Sequence, residues 1–548
     1  MRSLIAETHA VENQPPPFWG RNLFLGDPLL RLFLDEALDG PIEAALVQQG
    51  AFWGSTDASE FARLANCNPP QLRTHDAYGR RLDVVDYHPA YHALMRRGVE
   101  WGLGGSIWSE TVGEAGRRHA LRAARLFLAA QNECGHLTAL SSTSAAVAAL
   151  NRGPVALEVW TERIRTGAYD HRFLPADRKR GVTVGFAFAE KQAGTDVKAI
   201  QTRAERGGDG TFRLIGHKWF VSAPMSDAFL TLAQTHEGLT LFFVPRFLPD
   251  GSVNPLRFQR LKSKLGNRAN ASAEIELPGV AGWPLGEPGR ALRLLPEIAA
   301  LTRLDSALAA AGLMRSAVAQ AVHHARHREA SGAPLIDKPL MSRVLADLAL
   351  EVAGATALVQ RLARSFDAAG GDDLSGAFAR AMIPAVKYWV TKTAPAVVAE
   401  AIECLGANGY SEDFDLARLY REAPGLATWD GTGNAACLDL VRLVAADPEA
   451  LDPAIELIAE DLGAPGGAAA DVLHAAVRAC QEDEGAARVL AEHLALTGAA
   501  AALRRAVPRA IADAFIDSRL GGSWRSTYGM LDARFDAAGI VAFLYPEG

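Results

Sequence analysis

Six short segments of this 548-residue sequence carry residue types able to hold a flat, charged ligand. Phe188-Ala189-Glu190-Lys191-Gln192-Ala193-Gly194-Thr195-Asp196 follows a strand pattern and enters a loop. Gly194 lets backbone N–H groups approach a ligand there, and Thr195 and Asp196 can donate and accept around it. Gly216-His217-Lys218-Trp219-Phe220-Val221-Ser222 sets two aromatic rings and a hydroxyl on one strand, where they could stack on and hydrogen-bond a heterocycle. Lys264-Leu265-Gly266-Asn267-Arg268 precedes a further strand. Arg328, before Gly332, ends a helical pattern, and its guanidinium could pair with a pyrophosphate. Glu403-x-Leu405-Gly406-Ala407-Asn408-Gly409-Tyr410 is a helix stop whose glycines permit left-handed backbone. Trp429-Asp430-Gly431-Thr432-Gly433-Asn434 is a turn that places a carboxylate beside glycine and threonine ahead of another helix. Singly, each has an ordinary reading: a strand-end turn, a half-buried strand, an arginine serving the helix dipole. Their fixed order is the informative feature.

The elements that position them follow from periodicity. Between Gly181 and Pro278 short alternating runs (VTVGFAFAE, TFRLIGHKWFVS, DAFLTLAQT, LTLFFVPRF, ASAEIEL) separated by GGDG, HEG and PDG predict an antiparallel meander or barrel. Residues 115–131 before it, and 305–330, 341–369 and 374–405 after it, have helical spacing and the Ala/Leu content of a bundle. The chain therefore reads as mainly α with a central β domain: 1–180 helical, 181–290 β, 291–447 a four-helix bundle, 448–548 an additional helical unit or appendage. Apolar residues at 49% and charged residues at 22% exclude a disordered chain. A net charge of −7 excludes a whole-chain electrostatic affinity for nucleic acid or anionic membrane. Five scattered cysteines without a C-x-x-C pair read as reduced thiols. The start MRSLIAETHAVENQPPP has no apolar leader core, and no run of about 18 apolar residues occurs, so a cytoplasmic location and no membrane partner are expected.

The motif order above, over about residues 100–445, resembles that of the acyl-CoA dehydrogenase family. LANCNPP (64–70), FFVPRFLPDG (242–251), KLGNRANAS (264–272) and RLYREAP (418–424) resemble, in addition, its AidB-like branch of the adaptive response to DNA alkylation, and that likeness spans nearly the whole chain. The resemblance implies the acyl-CoA dehydrogenase fold, an N-terminal helical domain, a β domain and a C-terminal four-helix bundle, with FAD at their junction and across a subunit boundary. It further implies that Phe188, Ala189, Glu190, Gly194 and Thr195 with Trp219, Phe220 and Ser222 face the isoalloxazine ring. Arg328 would reach the diphosphate of a neighbouring subunit's FAD, with Glu403 and Gly406 at the adenosine end. Thr428, Gly431, Thr432, Gly433 and Asn434 would close the site. A homo-oligomer, a tetramer in this family, is implied with it.

Dehydrogenation in the family removes a proton α to a thioester carbonyl with a Glu while flavin accepts hydride from the β carbon. At that position stands Asp430, one methylene shorter, and a misplacement of about 1 Å can cost on the order of 100-fold in rate. At the family's alternative position Thr302 precedes Arg303, so no Glu compensates. Arg303 and Asp305 on the same helix complete the candidate catalytic set, although Asp305 reads equally as a helix-dipole residue. Ala189 replaces a flavin-bonding Thr, a loss of about 0.5–1.5 kcal/mol, and Ser331 replaces an aromatic ring on the adenosine side. The His88/His92 and His323/His327 pairs lack a placed carboxylate, so no metal is expected. Three functions follow: an FAD-dependent dehydrogenase, weak or otherwise, of a short or branched acyl-CoA; a flavin-containing DNA-associated alkylation-stress protein with vestigial activity; or, given Asp430, a non-catalytic flavoprotein scaffold. For DNA the segment 449–548 is unfavourable, with eight Arg, no Lys and fifteen Asp or Glu, and RRAVPRA (504–510) is its one candidate basic face.

Overall fold

Long alanine- and leucine-rich stretches with few breakers set the frame. In the computed structural model, which describes residues 8–34, 37–109, 114–154, 157–208, 210–369, 373–521, 527–531 and 534–546, they form the helices Leu295–His327, Pro339–Ala368 and Asp373–Leu405. Pro296 and Pro339 sit at the first turns, where the missing N–H costs nothing. Pro384 and Pro395 lie inside the third helix, which continues through both. Its buried flank, with Phe378, Met382, Val386, Val390 and Val397 at 0% exposure, holds it in place, because tertiary packing outweighs local propensity. Two shorter helices, Asp415–Thr428 and Gly433–Ala446, complete this side, joined by the turn that holds Asp430.

The β region, Val184–Ala187 to Ser272–Leu285, closes on itself. Strand Ala228–Thr235 pairs antiparallel with Gly238–Pro245, which pairs with Ser272–Leu285, then Phe212–Ser222, then Arg203–Arg206. Arg203 returns to Gln234 and completes the ring. Two pairings are parallel, Val184–Ala187 on Ala228–Thr235 and the Arg203 closure, so the barrel is not the purely antiparallel one expected from the turn spacing. A bulge between Lys218 and Val221 re-aims the Trp219–Phe220 segment.

The N-terminal part is helical from Pro28–Leu34 to Glu158–Arg165, interrupted by a hairpin of Gln71–His75 and Arg81–Asp86. Asp76 makes its turn by accepting from Tyr78 N and Arg80 N, with Gly79 at φ +79°. The C-terminal segment is not detached. Helix Ala487–Ala506 shares one core with the long helices, and Gly498 lies so close that a Cβ there would meet Met382 at 2.7 Å. A Cβ at Gly354 would likewise meet the Phe515 ring at 2.4 Å. Arg519 locks the segment with buried ion pairs to Asp347 (2.7 Å) and Glu351 (2.8 Å). All five cysteines are free. Among the described residues no helix is long and apolar enough to cross a membrane, and no group of His, Cys, Asp or Glu is placed to hold a metal.

Candidate active site

Asp430 occupies a left-handed residue, φ +53°, followed by Gly431 at φ +99°. Two such residues in succession reverse the chain between the helices that end at Thr428 and begin at Gly433. Glycine adopts this backbone freely and aspartate is among the few other residues that tolerate it. Asp430 is exposed as a residue, but its carboxyl group turns inward, where Ser306 Oγ donates to Oδ2 at 3.1 Å. Arg303 Nε donates to the Asp430 carbonyl at 3.1 Å while its Nη1 pairs with Asp439 at 2.6 Å. Beneath the turn Lys387 Nζ donates to the carbonyls of Ala427, at 3.1 Å, and Gly431. Enclosure among these groups pushes the Asp430 carboxyl above the usual aspartate range, opposed by Lys387, Ser306, Arg303 and Thr302. Burial brings the Lys387 ammonium down to about 8, partly offset by Asp430. The turn therefore presents a carboxyl group of raised basicity, the character required of a general base.

The β-region residues form a second group. Trp219 N donates to Ala189 O at 2.8 Å, which ties the 188–196 loop to the aromatic strand. Phe220 is 49% exposed, Ser222 is half-buried, and Gly194 and Thr195 are exposed, so this edge can receive a flat ring. Lys262 Nζ covers Trp219 at 3.1 Å from the ring centroid. Phe188 stacks on Phe186 and packs against the cluster that includes Ile298 and Leu301, less than two turns from Thr302 and Arg303. The strand that leads into the 188–196 loop thus shares a core with the end of the Leu295–His327 helix that carries Thr302 and Arg303.

Arg328 and the 403–408 turn meet at the other end. Together with Gln14, Leu335 and Met341 they line a pocket of about 400 Å³. Arg328 Nη1 donates to Asn13 O. Gly406, φ +62°, faces open space where a side chain would stand. Glu403 is exposed on the same rim.

Two expected site residues are committed elsewhere. Asp305 is not at a helix terminus or at the cleft. It lies well inside the Leu295–His327 helix, 4% exposed, in a two-point pair with Arg122 at 2.6 and 2.7 Å. Glu190 is likewise turned inward, paired with Lys218 at 2.8 Å, both side chains at 0% exposure, and accepts from Gln201 N, Thr202 N and Thr202 Oγ1. Burial alone would raise it, yet Lys218 and these donors bring it to about 2. The Glu190 side chain thus shapes the loop from within. Arg303, held at both ends, braces the Asp430 turn. Thr428 Oγ1 returns to Pro424 O, and Thr432 is exposed at the start of the next helix without a side-chain cap bond. Gly433 packs on Tyr388 and Lys392, where a Cβ would meet both at 3.3 Å. Asn434 Oδ1 accepts from Arg488 Nε and Nη2 at 2.9 and 2.7 Å.

Lys387, Ser306 and Arg488 are the members of the site that periodicity and motifs did not single out. The signal for Lys387 was a lysine at a core position of an otherwise apolar helix face, flanked by Val386 and Val390. The Lys264–Arg268 motif proves architectural: Asn267 donates through N and Nδ2 to Glu422, and Gly266 packs on Arg421, which docks the barrel onto the Asp415–Thr428 helix.

Known proteins match this chain in sequence and in fold. Residues 13–171 match the family model of the adaptive response protein AidB N-terminal domain, 185–280 that of the acyl-CoA dehydrogenase middle domain, and 293–444 that of the acyl-CoA dehydrogenase C-terminal domain. AidB of Escherichia coli (strain K12) is 43% identical over 451 residues, 80% of this chain and 81% of that one. Acyl-CoA dehydrogenase family member 11 of Caenorhabditis elegans is 29% identical over 404 residues, 71% of this chain and 64% of its own. In fold, the crystal structure of Caenorhabditis elegans ACDH-11 in complex with C11-CoA superposes with a TM-score of 0.84 at 23% identity, covering 99% of this chain and 98% of that one.

Proposed function

The chain belongs to the acyl-CoA dehydrogenase family, in its AidB-like branch, and we propose that it is an FAD-dependent flavoprotein that oxidises a short or branched acyl-CoA at the Asp430 cleft. One observation carries this reading: a carboxyl group of raised basicity, held by Ser306 on a braced left-handed turn beside the helix end whose core the barrel strand leading into the 188–196 loop shares. In the ionised form Asp430 takes the proton α to the thioester carbonyl, and Ser306 and Lys387 hold its orientation and charge. A flavin, when bound, would supply the acceptor for the hydride leaving the β carbon. The residues present fit FAD: Phe220, Ser222 and the 188–195 backbone suit the ring, while Arg328 and the open backbone at Gly406 suit diphosphate and adenosine. The complex of the Caenorhabditis elegans relative with C11-CoA supports an acyl-CoA as substrate.

Anaerobic addition of acyl-CoA thioesters to the flavin-loaded protein tests the reading. Bleaching of the flavin band is expected with at least one short or branched chain, and absence of bleaching with every thioester overturns it. The DNA-associated alternative finds few free basic groups among the described residues of the 504–510 run. Arg504 pairs with Asp513, Arg505 with Asp461 at 3.0 Å, and Arg509 with Asp513 at 3.4 Å. Three arginines of the 504–510 run thus share two aspartates, Asp461 being paired with Arg361 as well, which leaves only a small net positive charge there for phosphate contacts.

A further inference from the structure

Burying an ammonium costs several kcal/mol unless its surroundings compensate. Three lysines here are buried, and they are compensated differently: Lys179 pairs with Asp227. Lys218 has a carboxylate partner, Glu190, at 2.8 Å. Lys387, also at 0% exposure, has no carboxylate within ion-pair distance among the described residues. Its Nζ donates instead to Ala427 O and Gly431 O, the carbonyls on either side of Asp430. A neutral amide could make both bonds, so the hydrogen bonds alone do not account for a charge at this place.

We propose that Lys387 is the positioning residue of the Asp430 turn, fixing its left-handed backbone through those two carbonyls and supplying the buried counter-charge for the Asp430 carboxylate. The proposal rests on the reading of Asp430 as the base and adds the device that keeps it usable. Other charges face the same point. Arg303, from the Leu295–His327 helix, contributes but is shared with Asp439 of the Gly433–Ala446 helix, and Lys392 lies one turn along from Lys387. Asp430 in turn opposes the desolvation of Lys387, so the two groups stabilise each other's charged forms.

The test separates bond from charge. Lys387→Gln keeps donors for both carbonyls without the charge, and Lys387→Met removes both. Asp430 is titrated by infrared difference spectroscopy against the same protein carrying Asp430→Asn, with no thioester present. The Asp430 midpoint should rise by about one unit or more in both variants, the effect of losing a nearby opposite charge, while thermal stability falls further in Lys387→Met. Lys387→Arg should restore most of the midpoint wherever it folds. An unchanged Asp430 midpoint in Lys387→Gln, with only stability affected, makes Lys387 a structural staple and overturns the proposal. The coupling is mutual, so it is also readable without altering Lys387. In Asp430→Asn the Lys387 midpoint, followed by nitrogen NMR of labelled lysine, must fall by a similar amount, and its constancy equally overturns the proposal. These midpoints stand or fall whether or not any acyl-CoA bleaches the flavin.

Discussion

An amide at position 430 keeps the shape of the side chain and cannot take a proton, so Asp430→Asn should abolish thioester-driven flavin reduction in stopped-flow absorbance. Asp430→Glu extends the carboxylate by one methylene toward the family's geometry and should speed reduction. Glutamate tolerates φ +53° less well, so the same variant should lose about 1–2 kcal/mol of stability. The direction of the Asp430 shift fixes a pH dependence as well. The folded-state value lies above the unfolded one, so the fold prefers the neutral carboxyl, and ionisation is a cost that appears as pH rises through the raised midpoint. Reduction should fall on the acid side at a pH above the ordinary aspartate value of about 3.9. Thermal melts should show Asp430→Asn more stable than wild type above the raised midpoint, and that advantage should vanish below the ordinary value. A second limb, above about 8, should follow the loss of charge on Lys387.

Helices and strands fix which carboxylates are free to do chemistry, and the Leu295–His327 helix illustrates it. Asp305 lies one turn from Thr302 and is the second candidate carboxylate by sequence, but its side chain leaves on the flank that meets Arg122 of helix Arg118–Ala130. Asp305→Asn leaves a buried guanidinium uncompensated and should cost about 3–5 kcal/mol in denaturant unfolding. Reduction by the protein that remains folded should stay at the wild-type rate, and a specific loss of rate with normal stability would return Asp305 to the site. The same contrast shows what could be read from residues alone. Alternating runs located the strands and Ala/Leu periodicity the long helices, because burial on one face imposes those periods locally. The glycine turn at 430–433 was legible because left-handed backbone restricts residue type. Which way Asp305 and Glu190 point was not, since their partners Arg122 and Lys218 lie 183 and 28 residues away and a motif gives position without direction. The Gln71–Asp86 hairpin, with two short strands among helices, and the persistence of the Asp373–Leu405 helix through Pro384 and Pro395 likewise depend on packing that no local pattern records.

For the whole molecule, the placement of the two halves of the site on one long helix has a consequence for assembly. Asp430 and the flavin-ring edge lie near Arg303, while the Arg328 pocket lies just beyond the far end. At about 1.5 Å per residue the two are roughly 37 Å apart along the helix, further than one dinucleotide reaches. On the proposed reading a single chain would offer the ring-facing half of one cofactor site and the diphosphate-facing half of another, and two copies in antiparallel apposition would complete both. The exposed Leu340 (84%) and Tyr410 (85%), beside the Met341 and 403–408 lining of the pocket, are apolar surface suited to that contact. Flavin retention and association should accordingly be linked: light scattering should show a homo-oligomer, a tetramer by family likeness, and dilution or mild denaturant that separates the copies should release FAD in the same transition. Arg328→Ala should weaken FAD retention at unchanged secondary structure and shift that transition to higher protein concentration, because each bound cofactor would bridge two chains. A monomer that keeps stoichiometric FAD, or an Arg328→Ala oligomer that holds it as firmly as wild type, would place the whole cofactor on one chain and reassign Arg328 to the Asn13 contact at the helix end.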